Sequence, residues 1–449
     1  MVDLTLSSAE QKTQAAARSF AAAYLADAAA QYARLPTPEA RFQSLQPIYE
    51  AAVQAGLIRA QVPAAVGGTS FSLVESSLLV EEFYAVEASA SLTIFGTGLG
   101  LTPLALAYQP TVRDFLAPFL TGRGSPLASL VFSEPNGVAN WLEPGAPGLQ
   151  TTAHQDGDEW VLNGEKMWAT NSAGWDFQGA DLSCVVCRCV EEDAVARASH
   201  PRDLIMVLLV TREDIRRNDP GCFEVLKHIE TAGHIAVSGP HLKVGGIPVR
   251  SINLSLGPAH PVQYTNLRVP TQNVLCAPGT GAEVVTQSFD ISAMLVGAMG
   301  VGIQRAVFDA ALAFSRDPRG GTVPIGHRQS VADLLIDIKM RTETSRYLTW
   351  KAAHCLLSRE GDHDQRREPA LLAKIYSSDA SVQSCLGAIN AVGVSAYNAE
   401  RPFGRFLSTA LALPIFDGGN VGVRRRALQE VFMAEDYEPW AMSFPSPTK

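Results

Sequence analysis

The stretch LALPIFDGGNVGVRRRALQEVF, residues 411–432, sets one carboxylate, Asp417, where an apolar run gives way to a glycine turn, seven residues before Arg424. A carboxylate can take a proton from carbon only if that carbon is acidified or the carboxylate pKa is raised, and a nearby guanidinium keeps it ionised. On a helix, positions seven apart share a face and arginine leans toward the N-terminus, so Arg424 would reach Asp417. On this segment alone a plainer role fits better. Asp417 would then cap the helix that begins at VGVRRR, whose N-terminus attracts anions.

Three other segments carry comparable pairs of readings. In LVFSEPNGVANW, residues 130–141, Ser133, Asn136 and Gly137 form a polar edge after a strand. Its amides suit a phosphate or a flat polar cofactor, or simply an ordinary turn. In LNGEKMWATNSAGWD, residues 162–176, Trp168 stands beside Thr170 and Asn171. An indole next to hydroxyl and amide donors suits an aromatic ring system with polar edges; a buried strand tryptophan is the alternative. In RDPRGG, Arg316–Gly321, followed by Arg328 and Gln329, a glycine loop with arginines suits a pyrophosphate, or is a solvated connection between helices.

Other candidates fail on spacing. Cys184, Cys187 and Cys189 lack the fourth ligand and second pair of a structural zinc site, so they read as strand thiols and no metal is expected. GTGLG, residues 96–100, lacks the strand and spacing of a dinucleotide fingerprint. There is no HExxH, Walker loop or GxSxG elbow, and neither His354 nor His363 has an evident partner in the sequence.

The elements that must position these residues fall into three zones. Residues 1–127 read helical, opened by Ser7 and Glu10 at capping-box spacing. Residues 128–277 break into short β-rich runs separated by turn residues, with Asp156-Gly157 as a hairpin signal. From 278 to 449 the helical period returns. Three long segments, the second with Val331, Leu334, Leu335 and Ile338 on one face and the third stopped by Gly393, precede a fourth over VGVRRRALQEVFMAEDY. Four consecutive helices predict a bundle.

Composition narrows the class. With 449 residues, 47% apolar and 18% charged, the chain is globular and too long for one core. A net charge of −9 disfavours nucleic acid and acidic membrane surfaces as partners. The N-terminus does not read as a secretion signal, and the apolar run Ile291–Ile303 is shorter than a membrane span. Seven unevenly spaced cysteines argue for a reducing intracellular compartment, taken here as the cytoplasm.

In this order, SEPNG…W, TTA…DGDEWVLNGEKMWATN, RDPRGG…HRQSVADLL and IFDGGNVGVRRRALQE resemble the acyl-CoA dehydrogenase superfamily, and within it the flavin-dependent nitroalkane oxidase branch. The likeness spans nearly the whole chain, from AGLIRAQVP to AEDYEPWA. It implies an α+β multidomain fold with an N-terminal helical domain, a central β-barrel-like domain and a C-terminal four-helix bundle, assembled as a homotetramer. It implies FAD as cofactor. Asp417 matches the branch's catalytic aspartate, where typical acyl-CoA dehydrogenases carry glutamate. Ser292 matches a serine that hydrogen-bonds that acid, and Arg424 an arginine beside it.

By the same matching, Leu130, Val131, Phe132, Ser133, Val138, Ala139, Asn140, Trp168, Ala169 and Thr170 would line the flavin. Arg319, Arg328, Gln329, Asn390, Ala391, Val392, Gly393, Val394, Ile415, Phe416, Gly418 and Gly419 would complete the cofactor site, some from a neighbouring subunit. The implied reaction oxidises a neutral nitroalkane with O2, releasing nitrite, hydrogen peroxide and an aldehyde or ketone. The alternative is an acyl-CoA dehydrogenase or oxidase using Asp417 on a thioester. Two departures bear on the choice. Thr170 stands where the branch has serine, and Lys243–Gln263 is longer than the family's connection, as a surface loop or translated intron sequence would be.

Overall fold

The computed structural model describes residues 5–69, 71–225, 262–318, 323–357 and 362–443. The chain runs helical, then sheet, then helical, as the periodicities predict. It divides into two compact units: Met1–Asp27 with Phe71–Ser91 and Phe289–Lys449, and Ala28–Ser70 with Leu92–Ser288. Most of Lys243–Gln263 lies outside the described residues; its last two, Val262 and Gln263, open a strand.

In the first unit, Ser7 Oγ accepts from the Glu10 amide at 3.3 Å and the Glu10 carboxylate accepts from the Ser7 amide at 2.6 Å, so the predicted capping box starts helix Ser8–Phe20. A second box, Ser72 with Glu75, starts Leu73–Tyr84. The bundle helices are Gly281–Arg316, Gln329–Leu357 and His363–Val392, the last two packed along each other. Leu335 and Ile338 are buried on the predicted face, while Val331 and Leu334 are half-buried.

The apolar run 291–303 is core. A Cβ at Gly300 would lie 2.8 Å from Ser377 O, and one at Gly302 2.5 Å from Glu81 O. Helices Ala88–Leu106 and Gly281–Arg316 are long and apolar enough to cross a membrane, but 78% and 67% of their most apolar stretches are buried inside the protein. Helix His363–Val392 stops at Gly393 with φ +72°, as predicted. Two differences follow it. A helix Phe403–Ala412 stands where none was expected. The last helix begins only at Arg425, after a wide π-type turn Asn420–Arg424.

Among the described residues, the second unit is built on one sheet of eight strands: β1 Ala128–Val131, β2 Thr152–Asp156, β3 Glu159–Lys166, β4 Leu182–Cys189, β5 Ile205–Thr211, β6 Phe223–Glu224, β7 Val262–Pro270 and β8 Val274–Cys276. The order is β6-β7-β3-β2-β4-β5-β8. β1 pairs in parallel with the first half of β4 and β2 with its last two residues, so both use one edge of the same strand. Gly157, φ +63°, closes the predicted β2–β3 hairpin, in which Asp156 faces Glu159. β4 and β5 are buried along nearly their whole length and read as unbroken apolar runs for that reason. Cys184, Cys187 and Cys189 are buried thiols on β4, and among the described residues no three His, Cys, Asp or Glu side chains are grouped to hold a metal.

The GTGLG glycines have a packing role. A Cβ at Gly100 would lie 2.4 Å from Ser129 N, one at Gly98 1.9 Å from Gln61 Oε1, and one at Gly96 2.6 Å from Thr170 Cγ2. Their absence of side chains lets the helix close on β1 and on the Trp168–Asn171 loop.

Candidate active site

Asp417 is not a helix cap. The Asn420–Arg424 turn is preceded by Gly419, with no side-chain cap, and Asp417 sits before it with φ +53°. Gly418 follows at φ +75°, so two successive residues are left-handed, a conformation that only the second adopts without strain. This turn aims the Asp417 carboxylate at helix Gly281–Arg316, where Ser292 Oγ donates to Oδ1. Arg424 Nη2 donates to Oδ2 at 3.0 Å, and its Nη2 and Nε also donate to the Asp417 carbonyl at 2.7 and 3.0 Å. The approach of Arg424 to Asp417 is therefore across the turn, not along a helix face.

The carboxylate is 6% exposed and the Arg424 side chain 4%. Burial raises the Asp417 pKa above the ordinary carboxylate value, against the opposing pull of Arg424, Ser292 and Lys374. The outcome is an acid made more basic by desolvation, with Arg424, Ser292 and Lys374 each favouring its charged form. Arg424 also bonds the Phe289 carbonyl at 3.0 Å and lies 3.9 Å from the buried Asp290. Asp290 in turn meets Arg367 at 3.1 Å and His363 at 3.5 Å, so His363 does have a carboxylate partner. Burial raises the Asp290 pKa too, opposed by Arg367, Arg424 and His363.

The structure brings Asp417, Ser292 and Arg424 together in the first unit. Around them Ile415 is exposed at 74%, and Phe416, Gly418 and Gly419 are half-buried. Asn390, Gly393 and Val394 are exposed at the end of helix His363–Val392, where Ala391 and Val392 are buried. Arg328 and Gln329 are exposed at the start of Gln329–Leu357. Arg319 lies outside the described residues.

In the second unit, Leu130 and Val131 are buried at the end of β1, Phe132, Ser133 and Val138 are half-buried, and Ala139 and Asn140 are exposed in the following loop. Trp168 is not a buried strand residue. It follows β3 with φ +64° and is 45% exposed, while Ala169 is buried. Ser129 Oγ donates to the Thr170 carbonyl at 2.6 Å, and Asn171 Nδ2 to Thr93 O at 2.8 Å, which pins the strained loop to the helix behind it. Met167 N donates to Ser133 O at 2.8 Å, joining the two predicted flavin segments edge to edge.

Residues 7–123 match the family model described as acyl-CoA dehydrogenase, N-terminal domain, and residues 279–432 that of the C-terminal domain. Nitroalkane oxidase of Podospora anserina is 55% identical over 447 residues, 99% of each chain; that of Fusarium oxysporum is 45% identical over 451 residues, 99% of this chain and 98% of its own. The chain belongs to the nitroalkane oxidase branch of the acyl-CoA dehydrogenase family. The solved Podospora anserina nitroalkane oxidase superposes with a TM-score of 0.90, covering 99% of this chain and all of its own. An active-site mutant of a nitroalkane oxidase crystallised with 1-nitrooctane superposes at 0.91 and 44% identity, with the same coverage.

FAD is the cofactor of the acyl-CoA dehydrogenase family. The second unit fits it: an exposed indole on a loop braced by Ser129 and Asn171 lies beside the segment that follows β1, joined to it through Met167 N and Ser133 O, and in that segment a Cβ at Gly137 would meet nothing within 4 Å. A flat ring with an apolar face and polar rim takes such a surface.

Among the buried polar groups that escaped the sequence reading, Lys374, Asn420 and Asp290 lie at the site. Lys374 had a signal. Its helical neighbours Ala370, Leu371, Ser377 and Ser378 are all small or apolar, which puts it on the buried face. The other buried pair, Lys166 with Glu134 at 2.9 Å, fastens the loop after β1 to the end of β3.

Proposed function

We propose that this protein oxidises neutral nitroalkanes, RCH2NO2 + O2 + H2O giving RCHO, nitrite, a proton and H2O2, with Asp417 as the base. The observation that carries the reading is the Asp417 carboxylate, desolvated yet held on one oxygen by Ser292 and on the other by Arg424. The full-length relatives named nitroalkane oxidase, and the mutants of that enzyme crystallised with 1-nitrooctane and 1-nitrohexane, support the same substrate class here.

The chemistry suits the residue. A nitro group spreads carbanion charge onto its oxygens, so its α-proton is far more acidic than one beside a thioester. A free aspartate titrates at about 3.9, and the rise produced by burial narrows the remaining gap. Ser292 fixes the carboxylate plane, so one oxygen keeps a constant aim at the α-carbon. Arg424 keeps the base ionised between turnovers and ties its side chain to its own backbone. Burial keeps water from taking the proton's place. FAD, when bound, would supply the two-electron redox chemistry between substrate and O2. Leu130–Ser133, Val138–Asn140 and Trp168–Thr170 would hold it on the second unit. By the family resemblance the assembly is a homotetramer, and the unpaired thiols and acidic charge support a cytoplasmic location.

The deciding assay measures nitrite and peroxide released from nitroethane beside bleaching of the flavin by acyl-CoA. Nitrite with nitroethane is expected. No nitrite from any simple nitroalkane, with rapid bleaching by an acyl-CoA, overturns the reading in favour of a thioester substrate.

A further inference from the structure

Lys374 sits beneath the Asp417 turn, on helix His363–Val392, with no exposed surface. Its Nζ donates to the Gly418 carbonyl at 3.1 Å and to Asn420 Oδ1 at 2.7 Å. Asn420 is gripped further by the same helix: its Nδ2 donates to Ser378 Oγ at 3.0 Å and to Asp379 Oδ1 at 2.9 Å. Its amide closes the turn on Pro414 O at 2.8 Å. The two successive left-handed residues thus each give their carbonyl to a buried cation, Asp417 to Arg424 and Gly418 to Lys374.

A fully buried ammonium is costly unless it is hydrogen-bonded and paired, and here Gly418 O and Asn420 Oδ1 are its acceptors. Here an apolar side chain would fill the space but would leave Gly418 O and Asn420 Oδ1 without their donor. We propose that Lys374 is a positioning residue for proton abstraction: it holds the Gly418–Asn420 backbone so that Asp417 keeps its left-handed aim, and it adds positive potential at the carboxylate. This rests on Asp417 being the base.

The charged groups facing Lys374 are Asp417, Arg424 and Asp379. Burial brings Lys374 down to about 7, with Asp417 and Asp379 pulling it up and Arg424 pushing it further down. On the acid side of neutrality it is therefore a cation beside Asp417. The sign at Asp417 follows: removing that cation makes its carboxylate harder to ionise.

The test uses flavin-loaded protein with Lys374→Met and Lys374→Arg, assayed with neutral nitroethane and with preformed ethane nitronate across pH. A crystal structure of Lys374→Met gives a readout independent of turnover. For Lys374→Met, kcat/KM with neutral nitroethane should fall on the order of 10- to 100-fold, as a displacement of about 1 Å does. Its acid limb should move to higher pH, the nitronate reaction should be retained, and the Asp417–Gly418 turn should leave its left-handed conformation. Lys374→Arg should recover part of the loss.

An unmoved acid limb with an unchanged turn overturns the proposal, as does equal loss with nitronate. If Lys374→Met does not fold, Asn420→Ala tests the same grip, and unchanged kcat/KM with neutral nitroethane overturns it. Should unsubstituted protein act on acyl-CoA instead of nitroethane, the substrate reading fails while the same variants and the same crystal structure still decide the role of Lys374.

Discussion

Arg424 occupies the space that a side chain at position 418 would need: a Cβ built on Gly418 lies 2.9 Å from Arg424 Nε and 3.3 Å from Cζ. Gly418 also has φ +75°, so a side chain there is excluded twice, by the guanidinium and by its own backbone. Gly418→Ala should push Arg424 off the Asp417 carbonyl. The expected result is a loss of at least about 100-fold in kcat/KM with neutral nitroethane, because the aim of the base is displaced. The accompanying drop in stability, read by thermal unfolding, should be about 1–3 kcal/mol, the usual cost of local backbone strain.

Asp417→Asn removes the proposed base with little change of shape. Loss of a general base costs about 100- to 10,000-fold, and the deficit should appear only with neutral nitroethane. Preformed nitronate needs no proton removed and should react nearly as before. Equal loss with both substrates would show that Asp417 does something other than accept the proton.

The pH profile carries a sign that can be checked. As the proposed base, Asp417 would have to be ionised to act, so kcat/KM with neutral nitroethane should rise with pH through its pKa. Burial sets that limb above the ordinary aspartate value. Ser292 acts in the opposite sense by donating to the ionised form. Ser292→Ala should therefore move the acid limb to higher pH and lower kcat/KM by about 10- to 100-fold, the worth of a hydrogen bond to a charged group. A limb that stays in place or moves down refutes the role given to Ser292.

Lys166→Met leaves Glu134 buried without its cation. Breaking such a pair costs about 3–5 kcal/mol, to be read as a lowered urea midpoint. Burial alone would raise the Glu134 pKa, but Lys166 and the Gln150 amide outweigh it and hold the carboxyl below 4.5. A depressed carboxyl gives stability that is present above the unfolded-state value and lost as pH falls through the folded one. Unfolding midpoints should thus drop below about pH 4.5 in the native protein and drop less in Glu134→Gln.

The sequence made the order of elements legible because periodicity is local. The capping box at Ser7, the hairpin at Gly157 and the stop at Gly393 are decided by residues within a few positions of each other. The role of Asp417 was not decidable that way. The hydroxyl that separates a base from a helix cap sits on Ser292, 125 residues upstream, and only the resemblance connected the two. The buried charges were hidden for a related reason. Lysine and aspartate read as solvent-facing by default, and the partners that pay for burying Lys374 and Asp290 come from other elements. The glycines of GTGLG were misleading in the opposite direction, since a close helix contact asks for the same residue type as a phosphate loop.

The seven cysteines take on a different meaning beside the proposed reaction, which would generate an oxidant. Burial raises the pKa of every one, to about 12 for Cys187, Cys276 and Cys385. Peroxide attacks thiolate, and at neutral pH these sulfurs hold almost none. Six of the seven are also shut away from solvent, and Cys222 alone is partly open. If the protein releases peroxide as proposed, thiol damage over many turnovers should begin at Cys222.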